Sequence, residues 1–183
     1  MTVCQPPKDH SRLTNIRPAE ERDAASLAEL AERTFRDTFA HENRAEDVDS
    51  HCRNNYSERI QSAEILDPNR KTLVCHVRDS LIGYGQLRWG SAPACVVATR
   101  PAEVQRLYVD ASWHGKGVAQ ALMASLLDVA VVGGADVAWL GVWEQNPRAI
   151  SFYAKNGFAV VGEHVFVLGK DPQRDLVLAK RLS

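Results

Sequence analysis

The sequence lacks most of the features that would place it outside ordinary globular domains. No apolar run approaches the ~20 residues needed to cross a bilayer. The first dozen residues are polar, carry Pro6 and Pro7 and have no apolar signal-peptide core. They read as a flexible leader, 1–12, ahead of a single domain at 13–183. There is no charge of one sign to exploit: 22 Lys and Arg face 23 Asp and Glu, a net charge of −1, which gives no electrostatic case for nucleic acid or an acidic membrane surface. Cys4, Cys52, Cys75 and Cys95 show neither close pairing nor metal-type spacing, so reduced thiols in a cytoplasm are expected. The six histidines include no helical pair, and no metal site is expected. Repeats, low-complexity tracts and interdomain linkers are missing too. What is there is 183 residues with 45% hydrophobic content, enough for one domain with a real core.

The most informative stretch runs from Val104 to Met123. Alternation puts Leu107 and Val109 on one face and Val104 and Tyr108 on the other, which predicts a strand. A polar turn with Gly115 and Gly117 follows. From Val118 the apolar residues recur at helical spacing through Leu122, Leu126 and Val129, and Gly133-Gly134 ends the helix. The first amides of a helix have no internal partner and carry the positive end of its dipole. Two glycines let a diphosphate approach the backbone, and Lys116 adds a full charge. The dinucleotide fingerprint would need a glycine where Gln120 stands, and the P-loop needs a longer turn. On these residues alone, an anion site and a plain tight connection explain the turn equally well.

Around this unit, Thr14–Pro18 reads as a strand and Asp23 as the N-cap of a helix bearing Leu27, Leu30, Ala31, Thr34, Phe35 and Phe39. Val48, Cys52, Tyr56 and Ile60 form a four-residue series that predicts one further helix. Residues 72–77 and 81–87 predict a hairpin, and 90–101 a connecting loop. A strand is expected at 137–142, a short helix at 147–155, and short strands at 158–161, 165–168 and 176–178. Antiparallel runs around one strand–helix–strand unit imply a mixed sheet with helices on both faces.

His114-Gly115-Lys116-Gly117-Val118-Ala119 resembles the acyl-CoA pyrophosphate loop of the GNAT superfamily of N-acetyltransferases, with His114 in place of the usual Gln or Arg. Residues 139–153 and Asn156-Gly157-Phe158 resemble the next strand, helix and turn of that family. The tail from Phe166 through Gly169, Gln173, Asp175 and Lys180 is similar to spermidine/spermine acetyltransferases of the PaiA type. The resemblance spans about residues 14–182. It implies an α/β (mixed α+β) GNAT fold: a mixed, mostly antiparallel sheet of six to seven strands, splayed between the strands at 103–109 and 137–142. It also implies acetyl-CoA as co-substrate.

Acetyl transfer to an amine makes three demands. The ammonium must lose a proton, since an alkyl amine of pKa ~10 is only about one part in a thousand neutral at pH 7. The oxyanion needs a fixed donor, and the leaving thiolate needs a proton or strong stabilisation. The resemblance points to Tyr153 as the acid at sulfur, although a pair of core aromatics would also explain Phe152 and Tyr153. It places the backbone of Leu107, Tyr108 and Val109 along the pantetheine, with Val109 N–H as oxyanion donor unless sheet pairing occupies it. His114, Gly115, Lys116, Gly117, Val118 and Ala119 would hold the diphosphate. Asn146 has a local reason to precede Pro147, as a helix N-cap, and the family adds a pantetheine contact. Glu103 stands at the spacing of the glutamate base in histone-type members, with Glu144 second; either is equally a solvated carboxylate. Glu42, in the acidic turn with Glu46, Asp47 and Asp49, and Glu144 are candidate contacts for the amine. Cys75 and Cys95 lack any motif for a covalent carrier.

The function expected is therefore direct acetyl transfer from acetyl-CoA to a small primary amine, a polyamine such as spermidine or a related diamine, in a ternary complex. A protein or peptide acceptor and a non-catalytic acyl-CoA sensor are the alternatives, and a homodimer is left open.

Overall fold

A computed structural model describes residues 14–182; the expected leader at 1–12 lies outside them. In chain order the elements are β1 (Thr14–Pro18), α1 (Ala24–Phe39), α2 (Ala45–Asn55), α3 (Glu58–Leu66), β2 (Arg70–Val77), β3 (Ser80–Trp89), β4 (Pro101–Val109), α4 (Val118–Val132), β5 (Val137–Trp143), α5 (Pro147–Lys155), β6 (Ala159–Leu168) and β7 (Asp171–Arg181). Among the described residues one seven-stranded sheet runs β1-β2-β3-β4-β5-β7-β6, and its only parallel neighbours are β4 and β5.

Helix α4 is apolar on most sides because it lies flat on the sheet. Leu122, Met123, Leu126 and Ala130 are fully buried against Leu87, Val104, Ala138 and Leu140. Truncating one such leucine to alanine costs ~2–5 kcal/mol. The opposite face carries α1 and α2, whose Leu27, Leu30, Phe35, Val48 and Cys52 pack on Val74 and Tyr84. The 90–100 loop covers the far end of that face, where Val96 meets Val137, Trp139 and Val177. No helix among the described residues is long and apolar enough to cross a membrane.

Four expectations are corrected. The four-residue series at Val48 to Ile60 is two helices: α2 ends at Asn55, Tyr56 leaves the helical region at φ −127°, and Ser57 caps α3 by accepting from Ile60 N–H at 3.3 Å. Asp23 stands just before α1 but turns backwards, accepting from Glu20 N–H at 2.8 Å and from both guanidinium nitrogens of Arg17. The short strands at 158–161, 165–168 and 176–178 are parts of two long ones, β6 and β7, paired along nearly their whole length.

The fourth correction matters most. Gln86 pairs with Arg106 but Leu87 pairs with Val104, so Gln105 is an extra residue, a β-bulge in β4. The alternation flips there. Val104 joins Leu107 and Val109 on the α4 side, while Arg106 and Tyr108 face α1 and α2. Arg70 donates to Gln105 Oε1 at 2.7 Å and also pairs with Glu64, which holds Arg106, so a buried ionic network fixes the bulge. β4 and β5 pair only from Pro101 to Glu103 against Val137 to Trp139 and diverge beyond.

Candidate active site

The divergence of β4 and β5 opens a cleft of about 640 Å³ that runs through the sheet from one face to the other. On the α4 side its walls include Leu107, Val109, His114, Ala119, Asn146 and Tyr153. On the α1 side they include Phe39, Glu42, His51, Trp143, Phe166 and Asp175.

Beyond Glu103 the β5-facing edge of β4 has no strand partner among the described residues. Asp110 N–H donates to Ile82 O across β3 at 2.8 Å, so strand alternation turns the adjacent N–H, that of Val109, towards the gap. Val109 O, on the same side, accepts from His114 Nε2 at 2.8 Å. His114 therefore ties the end of β4 to the glycine turn, a role the missing Gln or Arg of the motif left unspecified.

Past His114 the backbone takes positive φ at Gly115 (73°) and Gly117 (82°), and a Cβ at either would meet nothing within 4 Å. The glycines are there for backbone conformation, and the space above them stays open. Gly117 is the N-cap of α4, so the helix's first amides point out of this turn. Lys116 extends its ammonium over the Trp113 ring at 4.8 Å. Val118 turns inward to the core. The turn is exposed and continuous with the cleft through His114 and Ala119. An open, amide-rich, lysine-bearing cradle at one end of an unpaired strand edge fits the diphosphate and extended pantetheine of a CoA thioester.

Asn146 Oδ1 caps α5 by accepting from Ala149 N–H at 3.0 Å while also lining the cleft. Two turns on from Asn146, Tyr153 sits among Phe152 and Phe158, with ring centroids at 5.4 and 6.0 Å. Burial pushes its hydroxyl up to about 12, so it keeps its proton across the working range of pH.

The carboxylates separate into two groups. Glu103 lies where β4 and β5 are still paired, outside the cleft lining, bonded to Arg88 (Nη2–Oε2 2.5 Å). Glu144 also falls outside the lining and pairs with Arg174 at 2.9 Å. The acidic turn divides likewise: Asp49 binds Arg36 at 2.6 Å and buried Asp47 accepts from Lys170 N–H at 3.0 Å, fastening the β6–β7 turn to α2. Glu42 does reach the cleft, and so do Asp37 and Asp175.

The sequence matches the Acetyltransferase (GNAT) family over residues 24–158. This chain belongs to the GNAT family. It is 32% identical over 162 residues to an uncharacterised N-acetyltransferase of the pepI 3′ region of Lactobacillus delbrueckii subsp. lactis, covering 88% of this chain and 94% of that one. It is 34% identical over 160 residues to an uncharacterised N-acetyltransferase of Mycobacterium bovis, covering 87% and 98%. The crystal structure of PaiA N-acetyltransferase from Thermoplasma acidophilum in complex with coenzyme A superposes with a TM-score of 0.75 at 25% identity, covering 92% and 98%. The protein is a GNAT N-acetyltransferase that uses acetyl-CoA, and its expected mixed, mostly antiparallel sheet is the one observed.

Sequence reasoning missed His51, Asp37 and Asp175. His51 stacks on Phe35 at 4.2 Å and meets Tyr56 and Phe166 edge-on. Burial, and secondarily Arg106, lower its pKa to about 4, so the ring is neutral in the wall of the cleft. Its place within α2's apolar series, directly before Cys52, was visible in the sequence, but the hairpin tip that closes over it was not.

Proposed function

We propose that this GNAT enzyme acetylates a primary amine of a small polycation, a polyamine such as spermidine or a related diamine, by direct transfer in a ternary complex. The observation that carries this reading is the composition of the α1 side of the cleft. Three carboxylates, Asp37, Glu42 and Asp175, share its lining with Phe39, Trp143, Phe166 and a neutral His51. Carboxylates hold ammonium groups by charge, and ring faces hold them by cation–π attraction worth ~0.5–2 kcal/mol each. A flexible chain with two or more cationic nitrogens satisfies both.

Acetyl-CoA supplies the activated acetyl group. In this reading the turn at Gly115 to Ala119 holds its diphosphate and the edge of β4 from Leu107 to Val109 aligns its pantetheine. Val109 N–H stands ready to donate to the oxygen that gains charge as the amine adds. Tyr153, protonated and facing the same gap, delivers a proton to the departing sulfur.

The test is a panel of diamines, polyamines, monoamines and basic peptides, assayed with acetyl-CoA and a longer acyl-CoA. Selectivity for amines with two or more charges is expected. A preference for peptides would move the acceptor to protein, and CoA binding without transfer to any amine would make the protein a sensor.

A further inference from the structure

We propose that Asp175 takes the proton from the attacking ammonium and that His164 passes it on to solvent. This rests on the reading above only in requiring that an amine approaches over the α1 side of the cleft.

Asp175 stands on β7 opposite Trp143 of β5 and His164 of β6, with all three side chains on that face. Its side chain is 13% exposed and lines the cleft. Among the described residues it makes no ion pair with arginine or lysine, whereas Glu103, Glu144 and Glu64 are each held by arginine. Its nearest ionisable neighbour across the strands is His164, with Nε2 at 3.7 Å from Oδ2 and a side chain 33% exposed. The pair thus links the inside of the cleft to water. Gly141 makes room for it, two residues beyond Trp139, the last β5 residue paired with β4. A Cβ there would come within 2.9 Å of His164 Nε2 and 3.3 Å of Asp175 Oδ2, so any larger residue would push the pair away from the mouth of the gap.

The electrostatics suit a base. Burial raises the pKa of Asp175 and His164 partly offsets that rise. The other charged groups lining the cleft are Asp37 of α1, Glu42 of the following turn, Arg106 of β4 and Arg148 of α5, and the titratable His51 of α2 lines it too. Trp143 and Gly141 of β5 bring no charge. Arg174 and Glu163 pair with each other on the opposite face of the hairpin. A carboxylate of raised pKa is a better proton acceptor than a free one.

The ammonium gives one proton to Asp175 Oδ, and the freed lone pair forms the N–C bond to the acetyl carbon. The C–S bond breaks with its electron pair on sulfur. Tyr153 gives its hydroxyl proton to sulfur and regains one from nitrogen. Asp175 returns its proton to His164 Nε2, and His164 releases one to the water at its ring.

The experiment compares wild type, Asp175→Asn, Asp175→Glu and His164→Gln with the best amine of the panel, reading kcat and KM from pH 6 to 10 and CoA affinity separately. Asp175→Asn should lower kcat ~10²-fold or more with CoA affinity kept, and Asp175→Glu should recover part of the loss. His164→Gln should move the acid limb of kcat/KM to higher pH, because Asp175 loses the imidazole neighbour that lowers its pKa. Asp175→Asn with kcat within twofold of wild type, or with a raised KM alone, overturns the proposal. An unmoved acid limb in His164→Gln overturns the relay even if Asp175→Asn fails to fold. If wild type acetylates no amine at all, the polyamine reading falls first and this inference with it.

Discussion

Replacing His51 by phenylalanine should make the protein less sensitive to acid, by an amount the structure sets. The imidazole is held among Phe35, Tyr56 and Phe166, and its pKa falls from 6.5 to about 4. In the unfolded chain it titrates normally. Between about pH 6.5 and 4 the unfolded state therefore binds a proton that the folded state refuses, and stability is lost as pH falls through that window. Above pH 6.5 neither state is protonated and the effect is absent; below pH 4 it levels off. At ~1.4 kcal/mol per pKa unit the loss is about 2–3 kcal/mol, the lower figure allowing for the part of the ring that water reaches. Phenylalanine keeps the aromatic contacts and removes the titration. Urea unfolding of both proteins at half-unit steps from pH 4 to 7.5 isolates the term, since every carboxylate common to the two cancels. The difference in stability between variant and wild type should grow by about 2–3 kcal/mol on acidification. Parallel curves would refute the argument that His51 is neutral in the cleft wall. The same protonation places an imidazolium where a cationic amine is expected, so KM for the amine should rise below pH 5.

Other outcomes follow from single contacts. Tyr153→Phe should lower kcat ~10²-fold while leaving acetyl-CoA affinity unchanged. Because the hydroxyl is pushed up to about 12, no alkaline limb below pH 10 should belong to it, and the variant's pH profile should keep the wild-type shape. Asp47→Ala removes the acceptor of Lys170 N–H that fastens the β6–β7 turn to α2. It should raise KM for the amine severalfold and leave CoA affinity alone, as titration calorimetry would show. Glu103→Gln breaks the ion pair with Arg88 and should cost about 1 kcal/mol of stability without altering the pH dependence of kcat/KM; a flattened profile would return Glu103 to the role of base.

Local signals carried the α4 side of the site. The apolar period of α4, the two glycines before it, and Asn146-Pro147 at the start of α5 each act within a few residues. Their structural consequences follow from backbone conformation and capping alone. The α1 side is different. The bulge at Gln105 inverts which side chains of β4 face α4, and it is held by Arg70 and Glu64, 35 and 41 positions away in sequence. Asp171 to Asp175 look like a polar loop, yet they pair with β6 because that hairpin closes the cleft over α2. Glu103 and Glu144 matched expected positions in sequence, but arginines from neighbouring strands claim both. Asp175, which no arginine among the described residues claims, became visible only when β5, β6 and β7 were aligned.

The most direct test is a crystal structure with CoA and spermidine bound together. The diphosphate should sit on the amides from Gly115 to Ala119, the sulfur should lie within hydrogen-bond reach of Tyr153 Oη, and an amine nitrogen should enter between His51 and Asp175. A turn left empty, or an amine approaching from the α4 side, would contradict the account.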